Sequence, residues 1–136
     1  MSIAFAPPAA ALPVAASAII DAARSWRIAR DSGLSIQPAL YARLEARGYG
    51  PLAPVLDGLL TLFEAGFRRH FRAGDPSDSA ITGDERQLLA LLEDEESAPQ
   101  VDYFRADLAG AMRIAVRSSR IMLRLVIRQD VRPTQS

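Results

Sequence analysis

The sequence predicts an all-α protein, a compact bundle of about five helices that ends in a long C-terminal helix. Three observations predict it. Apolar residues recur at helical spacing between clusters of Gly, Pro, Asp and Ser that punctuate the chain. Two helix starts carry capping signals, Thr82 with Glu85 and Ser97 with Pro99 and Gln100. No segment has a convincing strand pattern. The nearest, residues 121–127, is rich in β-branched and long apolar residues, but its arginines have helical spacing.

The elements follow in order. Residues 1–13, rich in Pro and Ala, are expected to form a flexible arm, and residues 14–132 a single helical domain. A first helix is expected over about residues 14–30, although Ala16, Ile19, Ile20, Ala23, Trp26 and Ile28 only partly keep a 3.6-residue period. Gly33 is placed to end it as a left-handed cap. Ser35 opens a short second helix with Pro38 in its first turn, and 48–51, Gly-Tyr-Gly-Pro, breaks it. A third helix over about residues 52–72 is apolar around much of its circumference and reads as the central one.

Residues 73–79 are a loop by composition. The Thr82–Glu85 capping box then starts a fourth helix whose apolar face is Leu88, Leu89, Leu91 and Leu92. Its end runs into the acids 93–96, where the helix dipole disfavours negative charge, so a basic element is expected nearby. The last helix is expected over about residues 99–130.

The chain has 136 residues and formal net charge zero, but the charge is segregated. All 16 basic residues are Arg. Residues 24–72 hold eight arginines and four acids, 75–97 eight acids and one arginine, and 101–136 seven arginines and three acids. Self-neutralisation between basic and acidic elements is the simplest consequence. A dedicated nucleic-acid binder usually carries a basic surplus, and there is none.

Cysteine is absent, which excludes disulfides, thiolate metal sites and a Cys nucleophile. The apolar N-terminus lacks a basic n-region and is interrupted by Pro7, Pro8 and Pro13. The expectation is therefore a cytoplasmic protein with no membrane association. Phosphate-binding, dinucleotide, nucleophile-elbow, zinc-protease and EF-hand signatures are all missing, and no cofactor or metal is implied.

Two arginine groups remain. Arg113, Arg117, Arg120, Arg124 and Arg128 are spaced 4, 3, 4 and 4, which puts them within about 80° of one another on a helix. Phe104, Leu108, Ala111, Ala115, Ser118, Met122, Leu125 and Val126 lie on the opposite side, and Ile114, Val116, Ile121, Leu123 and Ile127 on the flanks. This pattern predicts a mostly buried helix with one narrow basic seam. The leading account of the seam is a solvated edge; the next is pairing with the acids 93–96, and the third a site for phosphates or an acidic partner protein.

Arg68, Arg69 and Arg72 form the second group, expected at the C-terminal end of the third helix, where cations are favoured. There Phe63, Phe67 and Phe71 should share a face with His70 beside it. His70, Phe67 and Tyr49 are the candidate pocket.

The functional expectation is a non-enzymatic protein–protein interaction or regulatory module, acting as a homo-oligomer or on a protein partner. Two alternatives stand beside it. One is an anion- or nucleic-acid-binding module that uses the arginine faces. The other is a small-molecule-binding protein or enzyme with a pocket near His70.

Overall fold

The computed structural model describes residues 7–93 and 105–131. It is a helical bundle: α1 (Pro7–Ser32), α2 (Ile36–Glu45), α3 (Leu52–Phe67), α4 (Gly83–Glu93), a 3₁₀ turn (Ala106–Leu108) and α5 (Ala109–Val131). There is no strand among the described residues. α3 packs against α5 and α2, α1 against α2 and α4, and α4 also against α5.

α1 begins at Pro7, so residues 7–13, expected in an arm, have helical backbone. The core register of α1 differs from the expected one. Its buried apolar residues are Ala15, Ala18, Ile19, Ile20, Ala22, Ala23, Trp26 and Ala29, while Ile28 is exposed. The periodic signal lies in alanines, which are too small to mark a face in sequence but let helices approach closely. Trp26 is fully buried, and its indole N–H donates to Asp57 Oδ1 of α3 at 2.8 Å. Gln37 of α2 donates to Asp57 Oδ2 at 2.8 Å, so one carboxylate ties three helices together.

Gly33 has φ 70° and Gly48 φ 81°. At each, paired backbone bonds close the preceding helix: Leu34 N–H to Ala29 and Gly33 N–H to Arg30, then Tyr49 N–H to Leu44 and Gly48 N–H to Glu45. These are Schellman closures, which need the left-handed conformation that glycine adopts without steric cost. The second one carries Tyr49 into the core beside Leu40, Leu44 and Leu52.

α3 ends at Phe67, five residues short of the expected boundary. Its cap is Arg68, at φ 61° the described non-glycine residue in the left-handed region. The chain then leaves the helix and folds back. Phe71, expected one turn further along the same helix, returns through irregular backbone to pack edge-on against Phe63 with ring centroids 5.1 Å apart. Phe71 is fully buried, so the aromatic cluster forms as expected but by a different path.

Candidate interaction face and the arginine–acid network

The Thr82–Glu85 capping box forms as the sequence predicts. Glu85 N–H donates to Thr82 Oγ1 at 3.1 Å, and Thr82 N–H donates to Glu85 Oε1 at 2.9 Å. Glu85 also does something the box does not require. It is fully buried and takes a two-pronged hydrogen bond from the buried Arg24 of α1, at 2.9 and 3.0 Å. It further accepts from Gly74 N–H at 2.8 Å. Two more of the Arg24 donors go to the carbonyls of Asp78 and Ala80, at 2.8 and 3.0 Å. The 74–82 loop is thereby folded around one buried ion pair.

Two further carboxylates hold the segment between α3 and α4. Asp84 accepts from the Arg69 guanidinium at 2.6 and 2.9 Å and from Arg72 N–H at 2.8 Å. Glu64 accepts from Arg27 and from Phe71 N–H, the latter at 2.7 Å. Burial pushes the Asp84 and Glu85 carboxyls up, but the hydrogen bonds from Arg69 and Arg72 in one case, and from Arg24, Thr82 and Gly74 in the other, leave both below their ordinary values. Acidic and basic segments therefore neutralise each other here.

This network redistributes the second arginine group. Arg69 pairs with Asp84 and lies over the Phe63 and Phe67 rings, 5.7 and 5.6 Å from their centroids. Arg72 contributes its backbone N–H, and Arg68 serves as the left-handed cap. None of the three lies within α3, so their expected place in its last turn is not where the structure puts them. His70 is 80% exposed, with Nδ1 3.7 Å from Glu64 Oε2. It lines an open depression of about 400 Å³ with Arg30, Thr61, Glu64, Ala65, Arg68 and Arg69. Tyr49 is buried between α2 and α3, and Phe67 is half-buried; neither lines that depression. The three candidate pocket residues are not brought together.

α5 departs most from expectation. Its buried row is Met112, Val116, Ser119, Leu123 and Val126, spaced 4, 3, 4 and 3. The helix is not buried over most of its surface. Ile114, Ile121 and Leu125 are 67%, 50% and 45% exposed. At about 100° per residue they fall within about 40° of one another, nearly opposite the buried row. With Ala111 and Ser118, both exposed, they complete a 3–4–3–4 spacing, the seam of a helix that pairs with another helix.

The arginine row runs between the buried row and this outward row. Arg113, Arg117, Arg124 and Arg128 are exposed. Arg120 is half-buried and donates from Nε to the Leu91 carbonyl at 2.6 Å, which fixes the end of α4. Arg113, Arg117 and Arg128 make no ion pair among the described residues. A depression of about 450 Å³ is lined by Arg117, Arg120, Ile121 and Arg124. The expected pairing of the row with the acids 93–96 falls largely outside the described residues.

Sequence reasoning missed Arg24 and Asp57, and it offers Glu64 an i,i+4 partner in Arg68 where the structure gives it Arg27 and Arg30. Arg24 meets Glu85 61 positions away, Glu64 meets Arg27 37 away, and Asp57 meets Trp26 and Gln37 31 and 20 away, and such separations leave no local pattern. The outward apolar row did leave a signal, the spacing of Ile114, Ser118, Ile121 and Leu125, which overlaps the arginine spacing.

Among the described residues no group of three or more His, Asp or Glu side chains is placed to hold a metal ion. No helix there is long and apolar enough to cross a membrane. Comparison with protein-family models, with curated proteins and with solved structures found no match.

Proposed function

We propose that the protein is a protein–protein interaction module whose binding surface is the outward side of α5. One observation carries this reading: Ile114, Ile121 and Leu125 stand in water in a single row, turned away from a core that α5 already serves with a separate row. Single exposed apolar residues are ordinary, but a continuous row at helix-pairing spacing marks a contact surface. The rest of the charge supports it indirectly. Arg24 and Arg69 are engaged with the carboxylates of Glu85 and Asp84, whereas Arg113, Arg117 and Arg128 on α5 make no ion pair among the described residues.

The test is site-specific photocrosslinking in the cells that make the protein. Benzoylphenylalanine at position 121 or 125 should give a discrete adduct, and the same group at the exposed Tyr41 position of α2 should not. An adduct of twice the chain mass identifies a homo-oligomer, and any other discrete mass a different protein. Absence of adducts at 121 and 125, or equal labelling at 41, counts against the reading.

The second reading, anion or nucleic-acid binding, has one observation in its favour, the depression beside Arg117, Arg120 and Arg124. Its mark is binding to heparin or DNA that falls steeply with salt.

A further inference from the structure

Resting on the reading of α5 as a protein-binding face, we infer that its partner is an amphipathic helix with an apolar seam and an acidic flank.

The argument begins with register. Ala111, Ile114, Ser118, Ile121 and Leu125 alternate between the two seam positions of a heptad, and Arg117 and Arg124 occupy the position immediately before a seam residue. That is one of the two flanking positions whose charges select a partner in paired helices. The other flank holds Ala115 and Met122. From Ile114 to Leu125 the row is roughly 16 Å long, which about three turns of a facing helix cover.

Charge then selects among occupants. Residues 109–128 contain five arginines and no Asp or Glu. A second copy pairing through the same face in antiparallel fashion sets the arginine flank against itself. In parallel fashion it sets that flank against Ala115 and Met122. Neither arrangement supplies a carboxylate, and like charges across a contact disfavour it. A facing helix with Glu or Asp on its flank supplies a carboxylate opposite Arg117. Arginine forks match carboxylates in two-pronged geometry, and Arg117, on the flank itself, has no ion pair among the described residues to give up. The depression beside Arg117 and Ile121 gives such carboxylates a place to enter.

The test uses the full chain and a fluorescent synthetic helix of about 20 residues, with leucine along its seam and glutamate at both flanks. Anisotropy should report binding that weakens as salt rises. The same peptide with lysine flanks should not bind. Arg117→Glu should weaken the glutamate peptide about tenfold, and Ile121→Ser should abolish binding. Both positions are exposed, and unchanged thermal unfolding checks that the variants remain folded.

Several results would overturn the inference. Equal binding of the two peptides removes the acidic flank and keeps the apolar face. Tighter association with phosphatidylserine vesicles than with the glutamate peptide makes the occupant a membrane surface. Adducts of doubled mass at position 121 assign the face to a second copy. Failure of both peptides while crosslinks at 121 persist refutes the acidic helix and leaves the interaction reading intact.

Discussion

Glu85→Gln keeps the shape of the side chain and removes its charge. In the native protein Glu85 accepts four hydrogen bonds, two from Arg24 and one each from Gly74 and Thr82. A glutamine offers one carbonyl oxygen, and its amide group turns donors toward donors. Arg24 cannot shed its proton and is buried, so it is left as a charge without a counter-charge. Removing one member of a buried pair costs about 3–5 kcal/mol. Against a total stability of about 5–15 kcal/mol for a domain, that is a large fraction.

With a urea dependence of about 2 kcal/mol per molar, the unfolding midpoint should fall by about 2 M. Far-UV circular dichroism and the fluorescence of Trp26, the single tryptophan, should report the same midpoint. The double variant Arg24→Met/Glu85→Gln makes the sharper test. Replacing Arg24 as well eliminates the uncompensated charge, and the carbonyls of Asp78 and Ala80 that it served lie at exposed residues where water reaches them. What remains is roughly one backbone N–H without an acceptor, a cost of about 1–3 kcal/mol. The double variant should therefore be about 2 kcal/mol more stable than Glu85→Gln alone. A midpoint for Glu85→Gln close to that of the native chain, or a double variant weaker than the single, would refute the reasoning.

Three other outcomes follow from the same region. Arg68→Gly should raise stability by about 0.5–1 kcal/mol, read as a melting temperature higher by about 3 °C, because glycine takes the left-handed cap at φ 61° without steric cost. Phe71→Ala should cost about 3–5 kcal/mol in urea unfolding, although the residue sits in irregular backbone, because its ring is fully buried against Phe63. Asp84 and Glu85 have lowered native values against ordinary ones of 3.8 and 4.5, so their contribution is present above about pH 4.5 and is lost as pH falls through the native values. Urea midpoints measured down an acid series should fall in that window, and less so in Arg69→Met, which lacks the guanidinium that holds the Asp84 carboxyl low.

What was legible in the sequence had short-range causes. The Thr82–Glu85 box and the Gly33 cap depend on residues within a few positions, and both form. The end of α3 is not legible because the apolar period continues through Phe71. The chain leaves the helix at Arg68 because Glu64 accepts the N–H of Phe71 and Asp84 that of Arg72, pulling the backbone away from the helical path. Both carboxylates are recruited from outside the segment whose course they decide. The α1 register was hidden for a different reason. Alanine carries too little apolar surface to outweigh Ile28 in a pattern, yet in the packed state the close approach it allows decides which face is buried.

α5 carries two apolar rows with the same spacing, and the pattern alone gives its outward side the look of core. The arginines mark a border between the rows and cannot say on which side the core lies. Once the structure fixes the core on the Met112–Val126 side, the border acquires a direction. The outward row has charge on one flank only, Arg117 and Arg124, and small or apolar residues, Ala115 and Met122, on the other. A facing helix therefore needs acids on a single flank, and which flank depends on its direction. In a parallel pair the position before a seam residue faces the partner's opposite flank; in an antiparallel pair it faces the same flank. Two peptides with glutamate on only one flank each should differ: one should bind within about twofold of the doubly acidic helix, and the other should lose about tenfold. The identity of the tighter peptide reports the orientation of the partner. Equal binding by the two would mean that the arginines take no part in recognition and that the outward row acts through apolar contact alone.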